Sequence, residues 1–305
     1  MNLKDKKILV TGSAGFLGKS LIRKLLERGV PEKNIFAPGS AKLDLRKREN
    51  CEKAVEGIEV VIHLAGITSG VDFHQKMPAE IFYDNLLMGV ELMEAARKAG
   101  VRKFVSIGSA TEYPDKTPAP FKEENIWDGI PEPTHLPYAI AKKMLLVQAQ
   151  AYRKQYGFNA IHLLLTSMYG PGEREAGGPI PSIIKRAAEA KKAGASYIEV
   201  WGTGKPTRDF LYVEDAAEGI LLAAERYDKP EPVNLGSGRG VSIKETAEII
   251  LKLTDLRAEL RFDASKPDGQ MCRILNVERA EKEFGFRAST AFEEGIKETI
   301  KYHLG

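Results

Sequence analysis

Tyr138 and Lys142 stand four residues apart in the stretch YAIAK, so on a helix they share one face. A phenol titrates near about 10 and is a poor base at neutral pH. A lysine one turn away, with a positively charged nicotinamide beside it, favours the phenolate and makes it usable for proton transfer. Ser109 follows the apolar run from Lys103 to Ile107, at the carboxyl end of what reads as a strand, and opens the stretch SATEYP. From there it can hydrogen-bond the same oxygen. A tyrosine, a lysine and a serine around one carbonyl or alcohol form a site for hydride transfer. The Y-x-x-x-K spacing alone occurs on many surface helices. It gains force from the glycine turn upstream.

That turn is Gly12, Gly15 and Gly18, set between the apolar run Ile8–Val10 and a helix with Leu17, Leu21, Ile22, Leu25 and Leu26 at helical spacing. Strand, glycine turn and helix in this order suit a dinucleotide, with Phe16 and Leu17 inside the turn. Glycines there allow a tight bend and let a pyrophosphate approach bare backbone. The helix N-terminus then offers free N–H groups to the anion.

The elements that must carry these residues alternate. Asn34 to Ala37 reads as a second strand ending in Pro38 and Gly39, with no carboxylate for the ribose hydroxyls. The gap leaves room for a 2′-phosphate with Ser40 and Lys42 as donors, which tilts the cofactor from NAD toward NADP. Val60 to Ala65 is an unbroken apolar run of the type buried on both faces of a parallel sheet. His63 within it reads as a core histidine rather than a base. A helix from about Pro78 to Ala99 carries Asn85. After the strand that leads to Ser109, a proline-rich loop from Asp115 to Pro137 walls the site. A helix from Tyr138 to about Tyr156 and a strand from Ala160 to Thr166 follow. This β-α alternation predicts an α/β fold, a doubly wound parallel sheet of the Rossmann kind with helices on both faces.

Beyond Tyr169–Gly172 the elements become short and mixed, which predicts a smaller α/β C-terminal lobe for substrate. The expected division is 1–170 for the dinucleotide domain, joined by a helix at about 212–228, with 171–211 and 229–305 forming the second lobe. Arg208 follows a glycine turn and precedes an apolar run, a setting for a bidentate diphosphate clamp.

The 305 residues carry 45 basic and 42 acidic side chains, a net charge of +3, so neither nucleic acid nor a membrane surface is an expected partner. No apolar run approaches the ~20 residues of a membrane span. MNLKDKK runs straight into the first strand, and no signal peptide is expected. Cys51 and Cys272 form neither a disulfide framework nor a metal-ligand spacing, which suits a cytoplasmic protein with no metal site.

Over its whole length the chain resembles the extended short-chain dehydrogenase/reductase family, the nucleotide-sugar epimerases and dehydratases. The shared passages are TGSAGFLG (11–18), HLAG (63–66), GSATEY (108–113), YAIAK (138–142), YGPG (169–172), RDFLYVED (208–215) and NLGSG (234–238). Within the family it looks most like the GDP-L-fucose synthases, through EPTHLPYAIAK, VWGTGKPTRDFLYVED and KPDG. The resemblance implies Ser109, Tyr138 and Lys142 as the catalytic trio, with Asn85 supporting the site. Gly12, Gly15, Gly18, Asp44, Leu45, Leu64, Ala65 and Gly66 would line the cofactor, while Arg186, Trp201, Arg208 and Lys266 would hold the nucleotide diphosphate and sugar.

Departures from that pattern narrow the chemistry. GDP-L-fucose synthases carry a cysteine and a histidine for epimerisation at C3 and C5, where this chain has Thr111 and Gly178. The Asp-Glu pair of the dehydratases is replaced by Ala110 and Thr111. Ser109-Ala110-Thr111 before Tyr113 is similar instead to the UDP-glucose 4-epimerases. Glu112 is a further carboxylate that either faces the site or alternates away from it. Thr111 and Ser167, the latter in place of an asparagine, fall on the sugar side. The implied activity is redox chemistry at C4 of a nucleotide-linked sugar: a 4-keto-sugar reductase lacking the Cys/His pair, a 4-epimerase with tightly held NAD, or, more distantly, a non-catalytic dinucleotide-binding protein. Family members pair two long helices into a homodimer, and Met88, Leu92, Met144, Leu145 and Val147 suit either such a seam or the core.

Overall fold

The computed structural model describes residues 1–39, 41, 43–174, 178–266 and 268–304. The first half alternates as its sequence predicts: β1 (Ile8–Thr11), α1 (Phe16–Glu27), β2 (Ile35–Phe36), α2 (Arg48–Ala54), β3 (Val60–His63), α3 (Val71–Lys76), α4 (Pro78–Lys98), β4 (Lys103–Ser109), α5 (Leu136–Tyr156), β5 (Ala160–Leu165) and β6 (Ser167–Tyr169). The second half adds α6 (Pro179–Ala193), β7 (Tyr197–Trp201), β8 (Thr207–Tyr212), α7 (Val213–Arg226), β9 (Val233–Leu235), β10 (Gly240–Ser242), α8 (Ile243–Leu253), β11 (Glu259–Asp263), β12 (Cys272–Arg273), α9 (Glu278–Phe284) and α10 (Phe292–Leu304).

The main sheet has the order β2-β1-β3-β4-β5-β9, with every pair parallel. After β2 the chain crosses back over β1 to lay down β3, so the strand order reverses between those two. A crevice opens there at the carboxyl ends, the place where doubly wound sheets take ligands. β1, β3 and β5 are buried along their full length, which explains their unbroken apolar sequences.

One face is covered by α1, α7 and α9, whose Leu21, Leu25, Ile220, Leu221 and Phe284 share a core with the sheet. The other is covered by α2, α4 and α5, through Cys51, Leu92, Met93 and Leu145. Gly89 lets α4 lie close against α5, since a side chain there would bring its Cβ within 2.5 Å of Leu145 Cδ2. In the smaller lobe β8 joins β6, β10 and β12, β7 pairs with β11, and α6, α8 and α10 bury Ile184, Ile250 and Ile296 together. No helix among the described residues is long and apolar enough to cross a membrane.

Two expectations need correction. Val233–Leu235 lies in the stretch allotted to the second lobe, yet it hydrogen-bonds to Leu163–Leu165 as the sixth strand of the main sheet. Residues of α9 likewise pack into the first core, so the chain returns to the first domain twice rather than once. Of the residues that suit either a dimer seam or the core, Met88, Leu92 and Leu145 belong to the sheet core, while Val147 is exposed. Helical spacing identifies a buried face without saying what buries it.

Candidate active site

At the end of β1 the chain turns through Gly12, whose φ of +69° favours glycine. A Cβ there would sit 2.8 Å from the Ala65 amide nitrogen, and one on Gly18 would sit 2.3 Å from the Gly12 carbonyl oxygen. Both obstacles are backbone and cannot step aside. α1 starts at Gly15 with no side-chain cap, so the first-turn N–H groups stay free for an anion. Gly12, Gly15, Phe16, Leu17 and Gly18 line one cavity with Leu64, Gly66, Ser109, Tyr138 and Lys142. An adjoining cavity is lined by Gly12, Gly15, Asp44, Leu45, Leu64, Ala65 and Gly66. This bare turn, uncapped helix end and continuous lining fit a dinucleotide.

The surrounding polar groups fix that lining. Asp44 accepts from Arg46 Nε and Nη2 at 2.9 Å each, and this pairing holds its carboxyl below the usual range. Ser40, expected to serve the ribose side, and Lys42 lie outside the described residues. Asn85 is buried: Nδ2 donates to the carbonyls of Ile67 (2.9 Å) and Ile81 (2.7 Å), and Oδ1 accepts from the Ile67 N–H (2.9 Å). It therefore supports the loop after β3, and its Oδ1 keeps one lone pair. Thr11 Oγ1 accepts the Ala65 N–H at 3.1 Å and bonds His63 Nδ1 at 2.9 Å. Burial lowers His63 to about 3, so it is a neutral core residue, as its strand context indicates.

Ser109 ends β4 and caps the short turn Ala110–Glu112. Its Oγ accepts from the Thr111 N–H at 3.2 Å and the Thr111 hydroxyl at 2.9 Å. With two donors already on that oxygen, its own proton is left to point at a ligand. Glu112 faces inward: its side chain is 0% exposed, it accepts the Ser109 N–H at 2.8 Å, and it meets His162 Nε2 at 3.1 Å. His162 is held in turn by Ser106 Oγ at 3.1 Å. Gly108 must be glycine because its Cβ would lie 2.3 Å from both Glu112 Oε1 and His162 Nε2.

Tyr138 and Lys142 rise from the first turns of α5 into the same cavity. Burial, and secondarily the Glu112 charge, push the Tyr138 phenol above its ordinary value. The phenol is therefore protonated at neutral pH, and desolvation likewise brings Lys142 down to about 8. The Lys142 ammonium makes no hydrogen bond among the described residues, although Gly66 leaves it space: a Cβ there would be 3.5 Å from Nζ.

Thr111, Ser167 and Gly178 also line this cavity. So do His74, His135 and Glu173, which the sequence reading did not single out. His135 precedes Tyr138 by three residues, one helical turn, and that spacing is a signal that was there to be read. Its Nδ1 meets Glu132 Oε2 at 2.7 Å, and its ring centroid is 4.7 Å from that of His74. His74 comes from α3, an element the sequence reading missed.

The remaining candidates form a second group in the smaller lobe that does not line the cavity. Arg186 stacks over Trp201 at 5.2 Å, and Lys266 approaches the same ring at 5.5 Å. Arg208 donates to the carbonyls of Thr207 (3.0 Å) and Asp268 (3.3 Å). Beside it stands Arg273, absent from the sequence reading, which burial and the Arg208 charge lower to about 10. Two adjacent guanidiniums held by neutral acceptors leave positive charge for an anion. Both charges reach His135, which links this cluster to the cavity.

The family profile "NAD dependent epimerase/dehydratase family" matches residues 8–236. A GDP-L-fucose synthase of Sinorhizobium fredii is 35% identical over 304 residues, covering 98% of this chain and 96% of the relative. The structure of a GDP-mannoheptose C4 reductase from Campylobacter jejuni with NADP bound superposes with a TM-score of 0.90 at 25% identity, covering 100% of both chains. A GDP-L-fucose synthetase from Naegleria fowleri bound to NADP gives 0.87 at 29% identity, covering 99% of this chain and 94% of the other. With the glycine turn, the tyrosine–lysine pair and the doubly wound sheet in place, the chain belongs to the NAD-dependent epimerase/dehydratase family, the extended short-chain dehydrogenases/reductases.

Proposed function

We propose that the protein is an NADP-dependent reductase of a GDP-linked 4-keto sugar. The observation that carries this reading is the convergence of the Ser109 and Tyr138 hydroxyls and the Lys142 ammonium in one cavity with the glycine turn. When bound in this cavity, a nicotinamide would supply the hydride. Ser109 donates a hydrogen bond to the C4 oxygen and stabilises the charge that develops there. Tyr138, kept protonated by burial, gives that oxygen its proton. Lys142 binds the ribose hydroxyls with its otherwise unpartnered ammonium. Arg208 and Arg273 supply the diphosphate clamp, with Arg186, Trp201 and Lys266 on the nucleotide side.

The relatives that support this assignment are themselves a GDP-L-fucose synthase and a GDP-heptose C4 reductase with NADP. The proposed domain division is an NADP domain of 1–166 completed by α7, β9 and α9, with the remaining segments, β6 included, forming the substrate lobe. We further propose a cytoplasmic homodimer built on α4 and α5, which expose Phe82, Tyr83 and Val147. Sedimentation at micromolar protein should give twice the chain mass, and the chain mass alone would reject the dimer.

The first assay is NADPH oxidation with GDP-4-keto-6-deoxy-D-mannose. Turnover with NADPH, and little with NADH, supports the reading. Purified protein holding stoichiometric NAD that interconverts C4 epimers without oxidising NADPH would replace it.

A further inference from the structure

The two cavities meet at the glycine turn. Gly12, Gly15, Leu64 and Gly66 line both of them, and among the described residues the only charged side chain that lines both is Arg174. Arg174 follows the YGPG turn after β6, and that turn lies against the start of α1: a Cβ on Gly172 would sit 3.9 Å from Phe16 Cδ2. The arginine is exposed, and among the described residues its guanidinium has no hydrogen bond or ion pair. The other cations of this lining are engaged or placed elsewhere. Arg46 lines the second cavity but pairs with Asp44 at 2.9 Å and Asp84 at 3.3 Å, while Lys142 lines the first cavity alone. The carboxyl next to Arg174 does not cancel its charge. Glu173 is buried, its Oε2 has no partner, and burial raises it to about 8, so near neutral pH it is uncharged.

A diphosphate carries two negative charges, whereas the N-terminus of α1 offers the equivalent of about half a positive charge. The glycine turn therefore leaves most of that charge unmatched. A guanidinium can bond two phosphate oxygens at once and stays charged at every working pH. We propose that Arg174 is a ligand of the dinucleotide's diphosphate, the cation that completes the anion site begun by the glycine turn and the N-terminus of α1. The proposal rests on the reading of this crevice as a dinucleotide site. Because β6 pairs with β8, Arg174 joins a turn anchored in the smaller lobe to a cofactor held on the main sheet.

The test is the affinity of the full chain for NADPH and for NADH by fluorescence titration at low and physiological salt, with GDP binding by calorimetry alongside. Arg174→Gln should weaken both dinucleotides by the same factor, about tenfold or more. The factor should grow in Arg174→Glu, shrink as salt is raised, and be partly restored in Arg174→Lys. GDP affinity and the urea midpoint should not move, since the side chain is exposed and unpartnered. A loss confined to NADPH makes Arg174 a contact of the 2′-phosphate and overturns the proposal. A loss confined to GDP moves it to the substrate's diphosphate and overturns it as well. Unchanged affinity for both dinucleotides in the Gln and Glu variants overturns the proposal alone, whereas a wild-type chain that binds neither dinucleotide overturns it together with the cofactor reading.

Discussion

Glu112 is the most consequential side chain that no substrate touches. It joins the Ser109 backbone to His162, with both carboxylate and imidazole at 0% exposure. Glu112→Ala removes the acceptor of the Ser109 N–H and leaves His162 without its partner. Each buried polar group left without its partner costs about 1–3 kcal/mol. Glu112→Gln keeps an oxygen for the Ser109 N–H and loses only the charge, so about 1–2 kcal/mol is expected. Because Ser109 sits on the affected turn, kcat should fall with stability: at least tenfold in the alanine variant and less in the glutamine variant. Gly108→Ala should mimic the alanine variant, since its Cβ would fall 2.3 Å from both members of the pair. Urea unfolding gives the stability and NADPH oxidation gives kcat. An alanine variant within about 1 kcal/mol of the parent and with unchanged kcat would refute the view that this pair sets the serine.

Gly18→Ala should weaken NADPH at least tenfold in a fluorescence titration, because the new methyl meets the Gly12 carbonyl at 2.3 Å and the turn must open. Tyr138→Phe should lower kcat by about 10²–10⁴ with little change in NADPH affinity, measured by steady-state rates and titration. Burial disfavours the charged form of Lys142, so its ammonium persists below about pH 8 and is lost above it; NADPH affinity measured from pH 7 to 9 should fall through that value. Arg208→Ala should raise KM for the GDP-sugar about tenfold or more while leaving NADPH binding intact, the signature of a lost charge-assisted contact.

Much of this was legible in the residues themselves. The glycine turn, the buried strands and the tyrosine–lysine pair are local patterns, and each lies where its spacing predicts. β9 was read as a strand but given to the wrong lobe, because three residues carry no mark of the sheet they complete. Asn85 supports the loop after β3, but its partners depend on how that loop folds over it and carry no local sequence mark. His135 stands one turn before Tyr138 and could be placed from that spacing, whereas Glu173 is a single residue in a separate connection that only tertiary structure brings to the cavity. Glu112 could have faced either way by alternation, and the turn after β4 decided it.

The late arrival of β9 bears on how the molecule can be divided. A ribosome that has released only residues 1–170 has made β5 but not the strand that pairs with Leu163–Leu165, nor α7 to cover the apolar side of α1. Such a fragment would present an open sheet edge and a bare helix face, both prone to association. The two lobes are therefore interlaced along the chain, and neither can be lifted out as a module. Limited digestion between α5 and α6 should leave the pieces associated, and exchange of the smaller lobes between relatives requires grafts that spare Val213–Leu235 and α9.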